Sequence, residues 1–283
     1  MLNHAAMIRM SQPEDISEWF CVDFTNSTVD GSVTISNATK NSFRTNLGMF
    51  SAGETIAVPK GSKLFMKGVN TVQSLFTGKA PSNAWKLGGT NIRISGNIQT
   101  LLGDEKQDGV GDYAFNYLFY NSPLVDAGEL MLPATTLASN CYSSMFRSCT
   151  SLTQAPALPA TTLGDSCYTS MFASCMSLTR APALPATTLA SNCYDYMFSN
   201  CTSLTQAPVL PATTLAESCY SSMFVECKKL NYIKCLATDV KRVNTLNWVS
   251  GVASSGTFVK NRNESNWPSG DDGIPSGWTV QNA

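Results

Sequence analysis

Apolar residues recur every 26 residues through the second half of the chain. The hexapeptide Leu-Pro-Ala-Thr-Thr-Leu begins at Leu132, Leu158, Leu184 and Leu210. Cysteines, tyrosines and Met-Phe pairs follow each hexapeptide in the same order, so four clear copies run from 132 to about 235. A degenerate copy precedes them, with Ala114 and Phe115 where later copies have Cys and Tyr. Self-similarity at such a period is the signature of stacked repeats.

Each copy contains two apolar patterns. Cys141, Met145 and Cys149 are spaced i, i+4 and i+8 after an N-cap residue, Ser139, which is typical of one face of a short helix. The stretch from Leu152 onward reads L-x-x-A-x-A and predicts a short strand with Leu and Ala facing inward. One helix and one strand cannot bury both apolar faces alone, so we expect successive copies to stack into an α/β solenoid.

The expected strands of this solenoid are short and parallel. They lie near 152–157, 178–183, 204–209 and 230–235. Pro156, Pro182 and Pro208 take an outward position in the first three, and proline cannot donate to a strand ladder. We therefore expect strands of only three or four residues.

The repeat resembles that of a known family. Its pattern M-F-x-x-C-x-x-L-T-x-A-P-x-L-P-A-T-T-L is similar to the A-F-x-x-C-x-x-L-x-x-I-x-I-P repeat of the BspA-like leucine-rich-repeat proteins, over about residues 112–240. The resemblance implies a right-handed leucine-rich-repeat coil on a bacterial cell surface, with adhesion to host proteins. Ala stands at the strand positions where that family has Ile, so we expect a thinner core.

The flanking segments carry shorter patterns. Alternating apolar residues predict strands near 16–24, 32–36, 54–58, 62–67 and 91–99, and Asp30-Gly31 predicts a hairpin turn between the first two. The expected organisation is a disordered terminus at 1–12, an N-terminal antiparallel β domain at 13–103, the solenoid at 104–236 and a C-terminal β cap at 237–283. The cap residues expected to cover the last coil are Trp248, Phe258, Val259, Trp278 and Val280.

Composition narrows the classes of partner. Lysine and arginine total 19 against 20 acidic residues, so the chain has no positive field for a phosphate backbone and we expect no nucleic-acid partner. Charged residues form only 14% of the chain, which favours a neutral surface of Ser, Thr and Asn over a metabolic enzyme. No apolar stretch approaches the ~18 residues of a membrane span, and no signal peptide is visible, so we expect no membrane insertion.

The repeat cysteines allow three interpretations. They are spaced C-x7-C, whereas structural zinc sites favour C-x(2–4)-C and often include histidine. Buried thiols are the interpretation we favour, because free Cys packs as a small hydrophobe. Disulfides between stacked copies are the second interpretation, and a metal site is the third.

Other candidate chemistry is weak. His4 is the only histidine, which excludes Ser-His-Asp and Cys-His catalysis. The G-x-G-x-x-A match at Gly109 follows a polar run, and Gly78-Lys79 lacks phosphate-loop spacing. The acidic loops, Asp104, Glu105, Asp108 and Asp112 and then Asp271 and Asp272, lack EF-hand spacing. We expect no catalytic residue, no metal and no cofactor.

Two surfaces are candidates for binding. The tyrosine ladder at Tyr142 and its equivalents is either a carbohydrate-stacking stripe or part of the core. The outward strand positions are the stronger candidate, since in a solenoid they line up on the concave face, although a merely solvated sheet is the alternative. These residues are Thr153, Gln154, Thr179, Arg180, Thr205, Gln206, Asn231, Tyr232 and Lys234.

The sequence thus predicts a non-enzymatic binding or adhesion module. Its expected partner is an extracellular or host protein, or a glycan, at a cell surface, in secreted form or on a virion. A structural component of a phage tail or surface appendage is the alternative, and a glycan-active enzyme is the third hypothesis. Arg180, Tyr232 and Lys234 are the expected anchors, because aromatic and cationic side chains dominate many interfaces.

Overall fold

The computed structural model describes residues 15–76, 81–103, 109–264 and 266–283. These residues form strands and turns with no α-helix, and their helical elements are short 3-10 segments at 81–83, 98–102 and 242–244. The terminus at 1–12 with His4, the Gly78-Lys79 pair and the acidic residues Asp104, Glu105 and Asp108 lie outside the described residues.

Eight strands precede the repeat. They are β1 (Phe20–Asp23), β2 (Gly31–Thr34), β3 (Phe43–Thr45), β4 (Gly48–Phe50), β5 (Thr55–Val58), β6 (Lys63–Gly68), β7 (Lys86–Gly88) and β8 (Ile92–Asn97). Six more follow: β9 (Gly109–Val110), β10 (Leu124–Met131), β11 (Thr136–Leu137), β12 (Tyr232–Cys235), β13 (Thr257–Lys260) and β14 (Thr279–Asn282).

The first eight strands divide between two sheets. One has the order β10-β8-β1-β6-β3-β4 and the other β5-β2-β7, and all pairs are antiparallel except β10 with β8. The predicted hairpin at Asp30-Gly31 is wrong, because β1 and β2 belong to different sheets. Glycine is needed at position 31 because of packing and not because of a turn, since a Cβ there would lie 2.2 Å from the Phe24 ring.

The prediction of an α/β solenoid is wrong, and so is the description as a leucine-rich-repeat coil. The runs expected to be helices are successive four-residue turns. Every fourth residue has a positive φ, for example Asn140 at 58°, Ser144 at 57° and Ser148 at 64°, whereas an α-helix requires φ near −63°. The same conformation recurs in the next copies at Ser166, Ser170, Ser174, Asn192, Tyr196, Asn200, Ser218, Ser222 and Glu226.

Hydrogen bonding explains why these turns replace a helix. The N–H groups of Tyr142 and Phe146 donate at 3.0 Å to the carbonyls of Cys167 and Met171 in the next copy. Between them, the Met145 N–H donates at 3.2 Å to the carbonyl of Tyr142 within the same turn. Half of the backbone donors therefore bind the neighbouring copy, which an α-helix does not allow because its donors are used internally.

The expected strands of the first three copies are absent as well. Each of these segments contains one proline and is followed by a second, for example Pro182 and Pro185. Proline lacks an N–H and biases the preceding residue toward extended, unpaired backbone. Only isolated bridges remain, such as Asp126 with Gln154. The fourth copy has no proline here, and its Tyr232–Cys235 segment forms β12.

The residues of these segments that point into the core also differ from the predicted ones. Pro156, expected outside, is buried, whereas Ala157, expected inside, is exposed. Leu152 and Leu158 are the residues that reach the core.

Two columns of stacked rings hold the copies together, and we call this assembly of residues 112–235 the repeat stack. Successive ring centroids lie 5.5–6.2 Å apart. One column runs through Phe115, Tyr142, Tyr168, Tyr194, Tyr220 and Trp248, and the other through Phe20, Phe119, Phe146, Phe172, Phe198 and Phe224. Since Phe20 belongs to β1, the hydrophobic core is continuous from the N-terminal sheets into the repeat stack.

The C-terminal segment follows the last copy. β12, β13 and β14 form a parallel sheet, and Trp248 packs on Tyr220 and Phe224. Phe258 is fully buried, whereas Val280, expected in the cap, is 45% exposed. Within the described ranges, no helix is long and apolar enough to cross a membrane.

Candidate binding surface

Four of the predicted binding residues line one groove. Thr153 and Gln154 come from the first clear copy, Thr179 and Arg180 from the second, and all four are exposed. The groove has a volume of about 450 Å³ and is also lined by Ala155, Ala181 and Pro182. The structure therefore brings these predicted residues together between neighbouring copies.

The proline-rich segments create this groove. No backbone hydrogen bond joins 179–190 to either neighbouring copy in the described structure. The neighbouring edge is fixed, because the Thr153 N–H and hydroxyl donate to the Val125 carbonyl at 2.9 and 2.8 Å. The unpaired segment 179–190 therefore lies beside a hydrogen-bonded segment at Thr153, and a cleft remains between the two. The polar side chains and the unpaired backbone groups in this cleft face solvent.

Arg180 is the only charged residue among the described residues that line the groove. Its guanidinium makes no ion pair or hydrogen bond with the described part of the chain. The five N–H donors of Arg180 are thus available to an acceptor on a partner.

The remaining predicted residues lie further along the repeat stack. Gln206 bridges Tyr232 in parallel, and the Asn231 N–H donates to the Thr205 carbonyl at 3.0 Å, so these residues of the third and fourth copies are adjacent. Tyr232 and Lys234 alternate outward on β12 and are half-buried. We call the nine predicted residues the repeat face. The concave sheet expected beneath them is absent in the first three copies, because their segments form no strands in the described structure.

The tyrosine ladder belongs to the core. Tyr142, Tyr168, Tyr194 and Tyr220 are each at most 1% exposed. Burial raises the pKa of Tyr142 well above its ordinary value, since the phenolate would be desolvated. A carbohydrate-stacking stripe is therefore excluded at these positions.

The cysteines are free and buried thiols. Cys149 donates its S–H to the Phe119 carbonyl at 3.0 Å, and Cys175, Cys201 and Cys227 repeat this bond one copy later each. Burial raises the pKa of Cys149 to about 12, so the thiolate that metal binding or disulfide exchange requires is disfavoured. Among the described residues, no three His, Cys, Asp or Glu side chains are grouped to hold a metal.

The acidic residues that are described have structural contacts. Asp112 accepts a hydrogen bond from the Ser139 N–H at 3.0 Å. Asp272 accepts from the Asn247 N–H and from Arg242, both at 2.6 Å, and these contacts lower the pKa of its carboxyl. Gly109 and Val110 form β9, which pairs with β11 rather than opening a phosphate-binding turn.

One cavity was not predicted. It has a volume of about 820 Å³ and lies where the N-terminal sheets meet the first, degenerate copy. We call it the junction pocket, and its walls are residues 34–38 with Gly53, residues 81–82, residues 84–87 and residues 120–122. The sequence contains one indication of this pocket. Residues 120–122 read Tyr-Asn-Ser, whereas the equivalent residues 147–149 of the next copy read Arg-Ser-Cys.

Comparison of the chain with family models, with curated proteins and with solved structures finds no match.

Proposed function

We propose that this protein is a non-enzymatic binding module that presents the repeat face to an extracellular protein or a glycan. The observation that carries the proposal is the groove in which Thr153, Gln154, Thr179 and the unpaired Arg180 converge. Hydroxyl, amide and guanidinium groups exchange hydrogen bonds with peptide carbonyls and with sugar hydroxyls alike.

The chemistry of the repeat face suits a partner that lies along the stack. Thr recurs at this face in the first three copies and Gln in the first and third, so an extended ligand can meet similar hydroxyl and amide groups along the stack. Tyr232 and Lys234 add an aromatic ring and a cation at one end. Such side chains bury large areas and supply directed donors, so we assign them the largest share of the binding energy.

Binding screens followed by substitution test the proposal. The purified protein is applied to a glycan array and to an array of extracellular protein domains. For the strongest binder, the triple variant Arg180→Ala, Tyr232→Ala and Lys234→Ala should weaken affinity by at least about 2 kcal/mol, roughly thirtyfold, without unfolding the protein.

A matched triple variant controls for residue type. Arg147, Tyr196 and Lys229 are exposed residues outside the repeat face, and their replacement by Ala removes the same three side chains. Binding should survive in this control. Unchanged affinity in the folded repeat-face variant, or no binder on either array, would overturn the proposal.

A further inference from the structure

The junction pocket points to a second binding site, and we propose that it binds a short neutral saccharide. This site is separate from the repeat face and does not depend on the function proposed above. Its volume of about 820 Å³ falls within the range of ~300–1,000 Å³ that ligand pockets commonly occupy.

Ser122 is the strongest indication of a ligand. The residue lines the pocket, and its hydroxyl is buried and has no hydrogen-bond partner in the described structure. A buried hydroxyl without a partner destabilises a fold, so one beside a cavity is suited to a ligand that supplies the missing hydrogen bond.

The repeat explains why this hydroxyl lacks a partner. Ser122 stands where the later copies have Cys149, Cys175, Cys201 and Cys227. Each of those thiols donates to a phenylalanine carbonyl in the preceding copy. The first copy is preceded by the N-terminal sheets instead, so Ser122 meets the pocket where the other residues meet a carbonyl.

The other polar lining groups match sugar hydroxyls. The side-chain amides of Asn37 and Asn121 make no hydrogen bond with the described residues. Each amide offers both a donor and an acceptor, which suits a pair of neighbouring hydroxyls. Tyr120 is half-buried in the same lining, and an aromatic ring is a surface on which the C–H side of a sugar packs.

Charge favours a neutral ligand. Among the described residues that line the pocket there is no carboxylate, and the one charged side chain, Lys86, is exposed. A cation or a metal therefore has no counter-charge in the pocket, whereas an uncharged polyhydroxyl ligand needs none.

The walls of the pocket are already joined without a ligand. The Ser36 hydroxyl donates to the Ser82 carbonyl at 2.6 Å, and the Trp85 N–H donates to the Leu118 carbonyl at 3.0 Å. The Trp85 indole also donates to the Thr39 hydroxyl at 3.1 Å. Such preorganisation reduces the conformational entropy that binding would otherwise cost.

Titration calorimetry with defined sugars tests the proposal. The probes are neutral trisaccharides of glucose, galactose, mannose, xylose and N-acetylglucosamine, added to the full chain. At least one should bind with a Kd below about 5 mM. Asn37→Ala and Ser122→Ala should each weaken that binding by at least about fivefold, because each removes hydrogen bonds to the ligand.

Stability separates ligand binding from a structural role of Ser122. Removal of an unpartnered buried hydroxyl should leave the unliganded protein as stable as before or more stable, while the affinity falls. Asn263→Ala, which removes an exposed amide outside both the pocket lining and the repeat face, is the matched control and should bind the sugar normally. No binding by any probe, normal binding by both pocket variants, or loss of binding in Asn263→Ala would overturn the proposal.

Discussion

Single buried polar groups form hydrogen bonds between neighbouring copies of the repeat. Cys149 is one example, because its S–H donates a hydrogen bond to the Phe119 carbonyl. An Ala or Val at position 149 would leave that carbonyl without this donor. The thiol therefore serves as a small apolar residue and as a weak donor at once. This dual role explains why cysteine recurs at each copy without forming a disulfide in the structure.

Asp195 departs from the polar residues at the same position in neighbouring copies, which are Ser143, Thr169 and Ser221. One of its carboxylate oxygens is buried without a hydrogen-bond partner. Burial raises the pKa of the Asp195 carboxyl from 3.8 to about 6, and a hydrogen bond with Ser221 only partly opposes this shift. The folded protein therefore holds the proton more tightly than the unfolded chain does.

The pH dependence of stability follows from this difference. The stabilisation that a raised carboxyl pKa provides is complete below about pH 4 and is lost as the pH rises through about 6. Asp195→Asn should consequently raise the thermal unfolding midpoint at pH 7.5 and change it little at pH 4. Thermal denaturation followed by circular dichroism at the two pH values measures the effect.

Asp165→Asn is the control for this measurement. Asp165 is exposed and accepts a hydrogen bond from the Ser191 N–H at 3.2 Å, so its replacement should not raise the midpoint. An Asp195→Asn variant that gains no stability at pH 7.5 would contradict the prediction.

At the scale of elements, the sequence predicted the position of the turn runs but not their type. A helix and a series of four-residue turns both place apolar residues at i, i+4 and i+8, so Cys141, Met145 and Cys149 fit either. The distinguishing information is the residue directly before each of these apolar positions. Asn140 and Asn200 occupy positions with positive φ, a conformation that asparagine tolerates better than most residues.

The strand segments show a second limit of prediction from sequence. The 26-residue spacing correctly placed Thr153, Gln154, Thr179 and Arg180 near one another. The proline inside each segment and the second one just after it have a larger effect than the spacing indicates, because the unpaired backbone opens a groove where the spacing predicts a ladder. The junction pocket escaped prediction because it forms between segments distant in sequence, such as Asn37 and Ser122.

The close packing of Gly31 in β2 against the Phe24 ring, which follows β1, leads to a prediction about stability. Its added Cβ would overlap the Phe24 ring at 2.2 Å, so Gly31→Ala should destabilise the protein by about 1–3 kcal/mol. Shortening the ring should relieve the overlap, so Gly31→Ala should be less damaging in a Phe24→Leu background. Urea unfolding of the two single variants and the double variant gives this coupling energy.

Additive effects of the two substitutions would contradict this explanation of Gly31. Gly61 is a useful comparison, since its Cβ would meet nothing within 4 Å but its φ is +80°. Gly61→Ala should be destabilised by backbone strain alone, and its effect should not change in the Phe24→Leu background.

For the whole molecule, the ring columns make the repeat a one-dimensional stack in which each ring contact joins adjacent copies. Removal of residues 158–183, which is one copy of 26 residues, joins Ala157 to Leu184 and restores the sequence A-P-A-L-P-A-T-T-L. Tyr194 then takes the place of Tyr168 above Tyr142, so both ring columns remain continuous. We expect this shortened protein to fold and to unfold in one cooperative transition, with a lower free energy of unfolding because one interface between copies is lost.

A half-copy deletion is the matched control for this prediction. Removal of residues 158–170 deletes Tyr168 but keeps Phe172, so one ring column is interrupted and the turn run of that copy loses its first half. Although it removes fewer residues, this variant should lose the cooperative urea transition and the near-ultraviolet circular dichroism of packed aromatic rings. Equal behaviour of the two deletions would show that the 26-residue register of the rings does not hold the stack together.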